Sequence, residues 1–217
     1  MQYGNIIYEN AFRSDYNTMK YDTSIYRGVF CALNAIYDEN DNINTDAIKA
    51  LVAKYKQLGV NGIYACGSTG EGFLLSTEER MQVAEAVKEA AGDDMAVIVH
   101  VGAASTKEAC ILARHAEKIG VSAVSAVPSV YYRLSEASIE KHWDTIMDST
   151  ELPFFIYNIP QLTGYDLSFE LFEKMAKNIH SVSPKERKSA VIIISIVSQD
   201  EKIYEVILTL LKDPDRD

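Results

Sequence analysis

Gly62-Ile63-Tyr64-Ala65-Cys66-Gly67-Ser68-Thr69-Gly70-Glu71-Gly72-Phe73-Leu74-Leu75-Ser76-Thr77-Glu78-Glu79 holds a whole structural transition in one short stretch. Its first five residues are a short apolar run, and a strand is the natural form for them. Ser68 and Thr69 follow, held between Gly67 and Gly70. Ser76-Thr77-Glu78-Glu79 then opens a helix, with a hydroxyl near the N-cap and acids in the first turn. A strand, a glycine turn and a helix start put the two hydroxyls at the carboxyl end of a strand, where α/β folds bind ligands. Glycines let backbone N–H groups converge, so the turn suits a carboxylate or a phosphate. Each charge-assisted hydrogen bond there is worth roughly 1.5–3 kcal/mol. On spacing alone, a βα turn that uses glycine only for its geometry explains the stretch equally well. No Gly-Lys-Ser/Thr follows, and the GxGxxG spacing is missing, so neither nucleotide-loop signature applies.

The same cycle repeats on both sides. Gly28–Leu33 reads as a first strand and Thr45–Leu58 as a helix, with apolar positions 47, 48, 51, 52, 55 and 58. Gly59 ends that helix. Glu78–Ala91 predicts the next helix, Met95–Gly102 a third strand and Thr106–Ile119 a third helix. Val121–Val127 predicts a fourth strand, Ser135–Met147 a helix, Pro153–Asn158 a fifth strand and Leu167–Lys177 a helix. Strands alternating with helices at a period of about 30 residues are parallel βα units. Strand faces apolar on both sides imply helical cover, as in a barrel or a doubly wound sheet; periodicity leaves both open. Trp143 lies at helix spacing from Ile139 and Ile146 and reads as packing. Asp38-Glu39-Asn40-Asp41-Asn42 reads as a solvated turn, because no glycine or distal Glu is placed for a calcium loop.

Composition narrows the function. The 217 residues are 47% hydrophobic and 24% charged, which suits one globular domain with a sizeable core. A net charge of −10 disfavours non-specific binding to nucleic acid or an anionic membrane. Cys31, Cys66 and Cys110 are odd in number and lack CxxC spacing, which suits a reduced, cytoplasmic protein. The four histidines show no ligand spacing, so no metal site is expected. No apolar run reaches the roughly 18 residues needed to span a bilayer, and the N-terminus does not read as a signal peptide.

With these elements in place, three motifs carry a family likeness. Gly67-Ser68-Thr69-Gly70-Glu71 resembles the signature loop of the N-acetylneuraminate lyase and dihydrodipicolinate synthase family. Tyr131-Tyr132 after the fourth strand and Tyr157-Asn158-Ile159-Pro160-Gln161-Leu162-Thr163-Gly164 at the fifth add to it. The likeness covers about residues 27–178. It implies a (β/α)8 TIM barrel of class I, pyruvate-dependent aldolases, usually homotetrameric and without metal or organic cofactor. The glycine turn, Leu75-Ser76 and His100-Val101-Gly102 are closer to the sialic acid lyases. Leu162 stands where the synthase branch places an arginine to hold a dicarboxylate, and leucine cannot replace a guanidinium.

The chemistry this resemblance implies is cleavage of N-acetylneuraminate to pyruvate and N-acetylmannosamine through a lysine Schiff base. The iminium draws in the electrons of the breaking carbon–carbon bond. By resemblance Tyr157 is the proton-shuttling phenol, while Ser68, Thr69 and Gly67 hold the pyruvoyl carboxylate. Tyr131 would complete a hydroxyl relay across a subunit interface, although Ala126-Val127-Pro128-Ser129-Val130 departs from the usual Thr-Pro ahead of it.

The pattern breaks near residue 178. The family lysine ends a sixth strand, 28 residues beyond the tyrosine, and that offset lands on Lys185. Its surroundings, Asn178 to Lys188, are polar and contain Pro184, which a central strand does not accommodate. An exposed lysine there would stay protonated, so a solvated loop lysine is as good a reading as a catalytic one. Ala190–Val197 could be a strand and Lys202–Lys212 a helix. Three segments are therefore expected: a leader over 1–27, five βα units over 28–178, and an atypical 179–217 that is a sixth unit or a frameshifted tail. A shifted reading frame or a truncated gene would produce that change, and a barrel cut to five or six units would be poorly soluble. Three functions stay open: a sialic acid lyase, a 4-hydroxy-tetrahydrodipicolinate synthase or other family aldolase, and an inactive relic that binds a small carboxylate.

Overall fold

The computed structural model describes residues 23–165, 167–177 and 191–195. Strand β1 (Phe30–Ala32) is followed by α1 (Thr45–Gln57), β2 (Gly62–Ala65), α2 (Thr77–Ala91), β3 (Ala96–His100) and α3 (Thr106–Lys118). Next come β4 (Ala123–Ala126), α4 (Glu136–Met147), β5 (Phe154–Asn158), the short α5 (Pro160–Thr163), α6 (Phe169–Lys177) and β6 (Val191–Ser195). All strand pairs are parallel and the spatial order is β1-β2-β3-β4-β5-β6. A doubly wound sheet reverses its order at a switch point; this one never does, so it is the wall of a (β/α) barrel. Successive helices pack side by side: α1 on α2, α2 on α3, α3 on α4, α4 on α6.

The helices begin where hydroxyl and amide side chains stand ready. Asn44, Ser76, Ser105 and Ser135 each accept a backbone N–H of the first turn of α1, α2, α3 and α4. Ser76 and Glu79 close a reciprocal capping box, the local reason α2 starts immediately after the glycine turn.

Alternation along the strands sorts the core into two layers. Ile63 and Ala65, Val97 and Val99, Val124 and Ala126, and Phe154 and Ile156 point toward the helices. Trp143 joins them at 0% exposure and donates its indole N–H to the Val127 carbonyl at 3.3 Å. The other layer holds Phe30, Ala96, Ile98, Ala123 and Phe155, and is capped by Tyr26 from the 3₁₀ turn Thr23–Tyr26. Tyr26 lies edge-on to Phe155 at 5.1 Å and donates to the Ser122 carbonyl at 2.6 Å. It plugs the N-terminal end of the sheet and leaves the carboxyl end to the site.

Several boundaries differ from the sequence reading. The first strand starts at Phe30 rather than Gly28, because Gly28 turns at φ +107° and Val29 N–H is taken by the Asn61 side chain. The fourth is trimmed to Ala123–Ala126, since Val121 N–H closes the end of α3 on Ala116. The short α5 was not anticipated: Pro160 sits in its first turn, and Gly164 at φ +68° ends it after four residues. The Asp38 turn is built as expected of a solvated loop. The Asp38 carboxylate accepts from the N–H groups of Asn42 and Asn40, which lowers its pKa. The apolar run at 190–197 supplies β6, paired with β5 from Phe154↔Val191 to Asn158↔Ser195. The residues of the leader before 23, Lys185 and the helix expected over 202–212 lie outside the described residues.

Candidate functional site

The site begins with β5. Phe155 faces the barrel interior, so Tyr157, two residues on, faces it as well. The β2–α2 turn comes to meet it. Cys66 turns the chain at φ +58°, a conformation costing a non-glycine residue roughly 1–2 kcal/mol. The turn then folds tightly, with Glu71 N–H on the Ser68 carbonyl and Gly72 N–H on the Gly67 carbonyl, both at 3.1 Å. No side chain fits at its glycines: a Cβ on Gly72 would lie 1.9 Å from the Cys66 carbonyl oxygen, and one on Gly70 2.6 Å from that of Leu33. Ser68 and Thr69 stand exposed at the crest, and Asn34 donates to the Thr69 carbonyl at 3.3 Å.

These two elements converge. Ser68 Oγ is 3.5 Å from Tyr157 Oη, at the outer limit of a hydrogen bond. Tyr157 is 4% exposed; burial raises its phenol pKa and Ser68 partly offsets the rise. Gly67 lies against the Tyr64 ring, where a Cβ would be 2.4 Å from a ring carbon. The accessible hydroxyls and the backbone of the turn can receive a carboxylate, with a phenol beside it able to give or take a proton.

The other expected residues fall differently. Tyr131 is 90% exposed at φ +81°, and its ring contact is with Tyr132 at 4.9 Å; the fold does not bring it to the Ser68–Tyr157 pair within this chain. Among the described residues every lysine stands on a helix, not at a strand end. Lys185 lies outside them, six positions before β6 begins.

Sequence reasoning missed four residues around the phenol. Tyr64 lies edge-on to the Tyr157 ring at 5.6 Å and donates to Ser125 Oγ at 2.9 Å. His100, 2% exposed, is edge-on at 5.9 Å. Burial, reinforced by the nearby Arg80 cation, lowers the His100 pKa to about 3, so the ring is neutral at physiological pH. Arg80, 3% exposed on α2, donates to the His100 and Gly102 carbonyls. The available signal was polar residues within apolar runs, namely Tyr64, His100 and Ser125 at inward positions of three adjacent strands.

Residues 25–205 match the dihydrodipicolinate synthetase family. An N-acetylneuraminate lyase from Mediterraneibacter gnavus is 38% identical over 80% of this chain and 56% of its own length. A catalytic lysine mutant of the Ruminococcus gnavus sialic acid aldolase superposes with a TM-score of 0.75 at 36% identity, covering 85% of this chain and 58% of that one. The 4-hydroxy-tetrahydrodipicolinate synthase of Methylacidiphilum fumariolicum SolV gives the same TM-score of 0.75 at 26% identity, covering 84% and 58%. The chain spans about half the length of the curated relatives it matches.

Proposed function

The chain belongs to the dihydrodipicolinate synthetase family, and from that premise we propose that it is a class I aldolase of the N-acetylneuraminate lyase type. The observation that carries this reading is the 3.5 Å approach of the Ser68 hydroxyl to the Tyr157 hydroxyl. In the reaction, Ser68, Thr69 and the Gly67 turn hold the carboxylate of a 2-oxo acid. A lysine amine, with Lys185 the candidate, attacks the keto carbon and water leaves as the iminium forms. Loss of the proton from the substrate's C4 hydroxyl lets the C3–C4 bond break toward the iminium, releasing N-acetylmannosamine as the aldehyde. The resulting enamine takes a proton at carbon, and hydrolysis frees pyruvate and the amine. Tyr157 is placed by this reading as the group that carries these protons, and Tyr131 completes its relay from a neighbouring subunit of a cytoplasmic homotetramer. The substrate and these residue roles need no metal or organic cofactor.

Likeness to a 4-hydroxy-tetrahydrodipicolinate synthase at 26% identity supports a second reading, condensation of pyruvate with an aldehyde at the same site. The helical placement of every described lysine supports a third, a carboxylate-binding relic without turnover.

Incubation with pyruvate and borohydride, followed by peptide mass mapping, tests the proposal. A reduced adduct on Lys185 is the expected result; no adduct on any lysine overturns it. Assays with N-acetylneuraminate, then with pyruvate plus aspartate semialdehyde, separate the two aldolase readings.

A further inference from the structure

We propose that His100, held by the buried guanidinium of Arg80, is the positioning residue that fixes the Tyr157 phenol against the Ser68 turn. The inference rests on the aldolase reading for its chemical consequence, but its geometry stands independently. His100 ends β3 on the inward face, beside its register partner Ser125 of β4. Its Nε2 accepts the Val127 N–H at 3.3 Å, and its Nδ1 lies 3.5 Å from Arg80 Nη2. The ring therefore ties the end of β3 to the chain leaving β4. Arg80 secures it from behind: Nη2 donates to the His100 carbonyl at 2.6 Å and Nη1 to the Gly102 carbonyl at 2.9 Å. Gly102 must be a glycine here, since a Cβ would lie 2.7 Å from His100 Nε2.

Two features take this network beyond ordinary packing. The first is its cost. Among the described residues Arg80 forms no ion pair, and its Nε is buried without a hydrogen-bond partner. A buried cation held mainly by carbonyls, with the Glu108 charge and the Cys66 side chain as its other favourable neighbours, is an expensive way to hold a strand end, where an apolar side chain would pack at less cost. The second is its reach. The His100 ring is edge-on to Tyr157 at 5.9 Å and to Phe73 at 5.6 Å. Phe73 directly follows the glycine turn that carries Ser68, so one imidazole packs against Tyr157 and against the residue that ends the Ser68 turn. Tyr64 closes the phenol ring from another side at 5.6 Å, anchored through Ser125. With its ring between two edges, Tyr157 keeps its Oη aimed at Ser68.

The test uses the full chain carrying ¹³C-labelled tyrosine, with the Tyr157 resonance identified by its loss in Tyr157→Phe. Pyruvate is the probe ligand. His100→Leu removes the acceptor and the polar ring, and Arg80→Met removes the cation while keeping the chain's bulk. Both are expected to shift or split the Tyr157 signal and to weaken pyruvate binding by about ten-fold or more. His100→Gln, whose amide oxygen can accept the Val127 N–H, is expected to recover most of that loss. Should either apolar variant fail to fold by circular dichroism, Phe73→Leu, at a partly exposed position, is expected to move the Tyr157 signal alone. An unmoved Tyr157 signal in folded His100→Leu, or in Phe73→Leu, overturns the inference. Absence of pyruvate binding by the wild-type chain would sink the aldolase reading, while the Tyr157 signal would still report on His100.

Discussion

The hydroxyls of Ser68 and Tyr157 lie 3.5 Å apart although 89 residues separate them along the chain. Nothing local joins a turn after β2 to the end of β5; the closing curve of the sheet does. This pair makes the most direct prediction. Ser68→Ala removes one donor to a bound carboxylate and should weaken pyruvate binding by roughly 1.5–3 kcal/mol, read by titration calorimetry. Tyr157→Phe keeps the ring contacts and removes the proton carrier. It should lower turnover by roughly 10²–10⁴-fold with little change in melting temperature. Wild-type turnover in Tyr157→Phe would remove the phenol from the reaction.

The pH dependence of stability follows from His100. Its pKa in the fold, about 3, is below the ordinary 6.5, so the unfolded chain binds the extra proton in that window. Stability should therefore be fully present above about pH 6.5 and should fall as the pH drops toward 3, by up to about 4–5 kcal/mol from this group. Denaturant unfolding at stepped pH measures it. His100→Gln has no such proton to bind, and its stability should decline less over the same range. Parallel curves for the two proteins would show that His100 does not drive the fall.

Two glycines of similar appearance should behave in opposite ways. Gly72→Ala drives a methyl to 1.9 Å from the Cys66 carbonyl, and only backbone movement relieves that clash. It should cost about 2 kcal/mol or more and disrupt carboxylate binding, since the same turn carries Ser68. Gly59→Ala meets nothing within 4 Å and strains only its φ of +77°. Its cost should be about 1–2 kcal/mol with ligand binding unchanged. Thermal melts with and without pyruvate read both effects.

Trp143 is fully buried between α4 and the sheet, with its indole N–H on the Val127 carbonyl. Trp143→Ala should lower the unfolding free energy by roughly 3–5 kcal/mol. Val127 N–H is the group bonded to His100, so the Tyr157 resonance should broaden in any fraction that remains folded. A loss under about 1 kcal/mol would mean that the tryptophan is not part of the core.

The helices were legible because their signals are local. Period 3.6 shows in Thr45–Gln57, and Ser76 with Glu79 writes a cap into four consecutive residues. The glycine turn was legible for the same reason. Apolar runs betrayed the strands, with ends misplaced by one or two residues at β1 and β4, where hydrogen bonds to Asn61 and α3 decide the boundary. The motifs carried the family, and with it the expectation of a barrel.

The choice between a barrel and a doubly wound sheet could not come from periodicity. Strand order is a matter of which distant backbones pair, and an apolar run looks the same beside any neighbour. The meeting of Ser68 with Tyr157 and the tie from Arg80 through His100 to Val127 are non-local in the same way. By itself, then, the chain's sequence determined the elements, their faces and the chemical groups at the strand ends, because those depend on residues a few positions apart. Tertiary structure alone decided which of those groups share one mouth, because strand pairing across dozens of residues sets that distance.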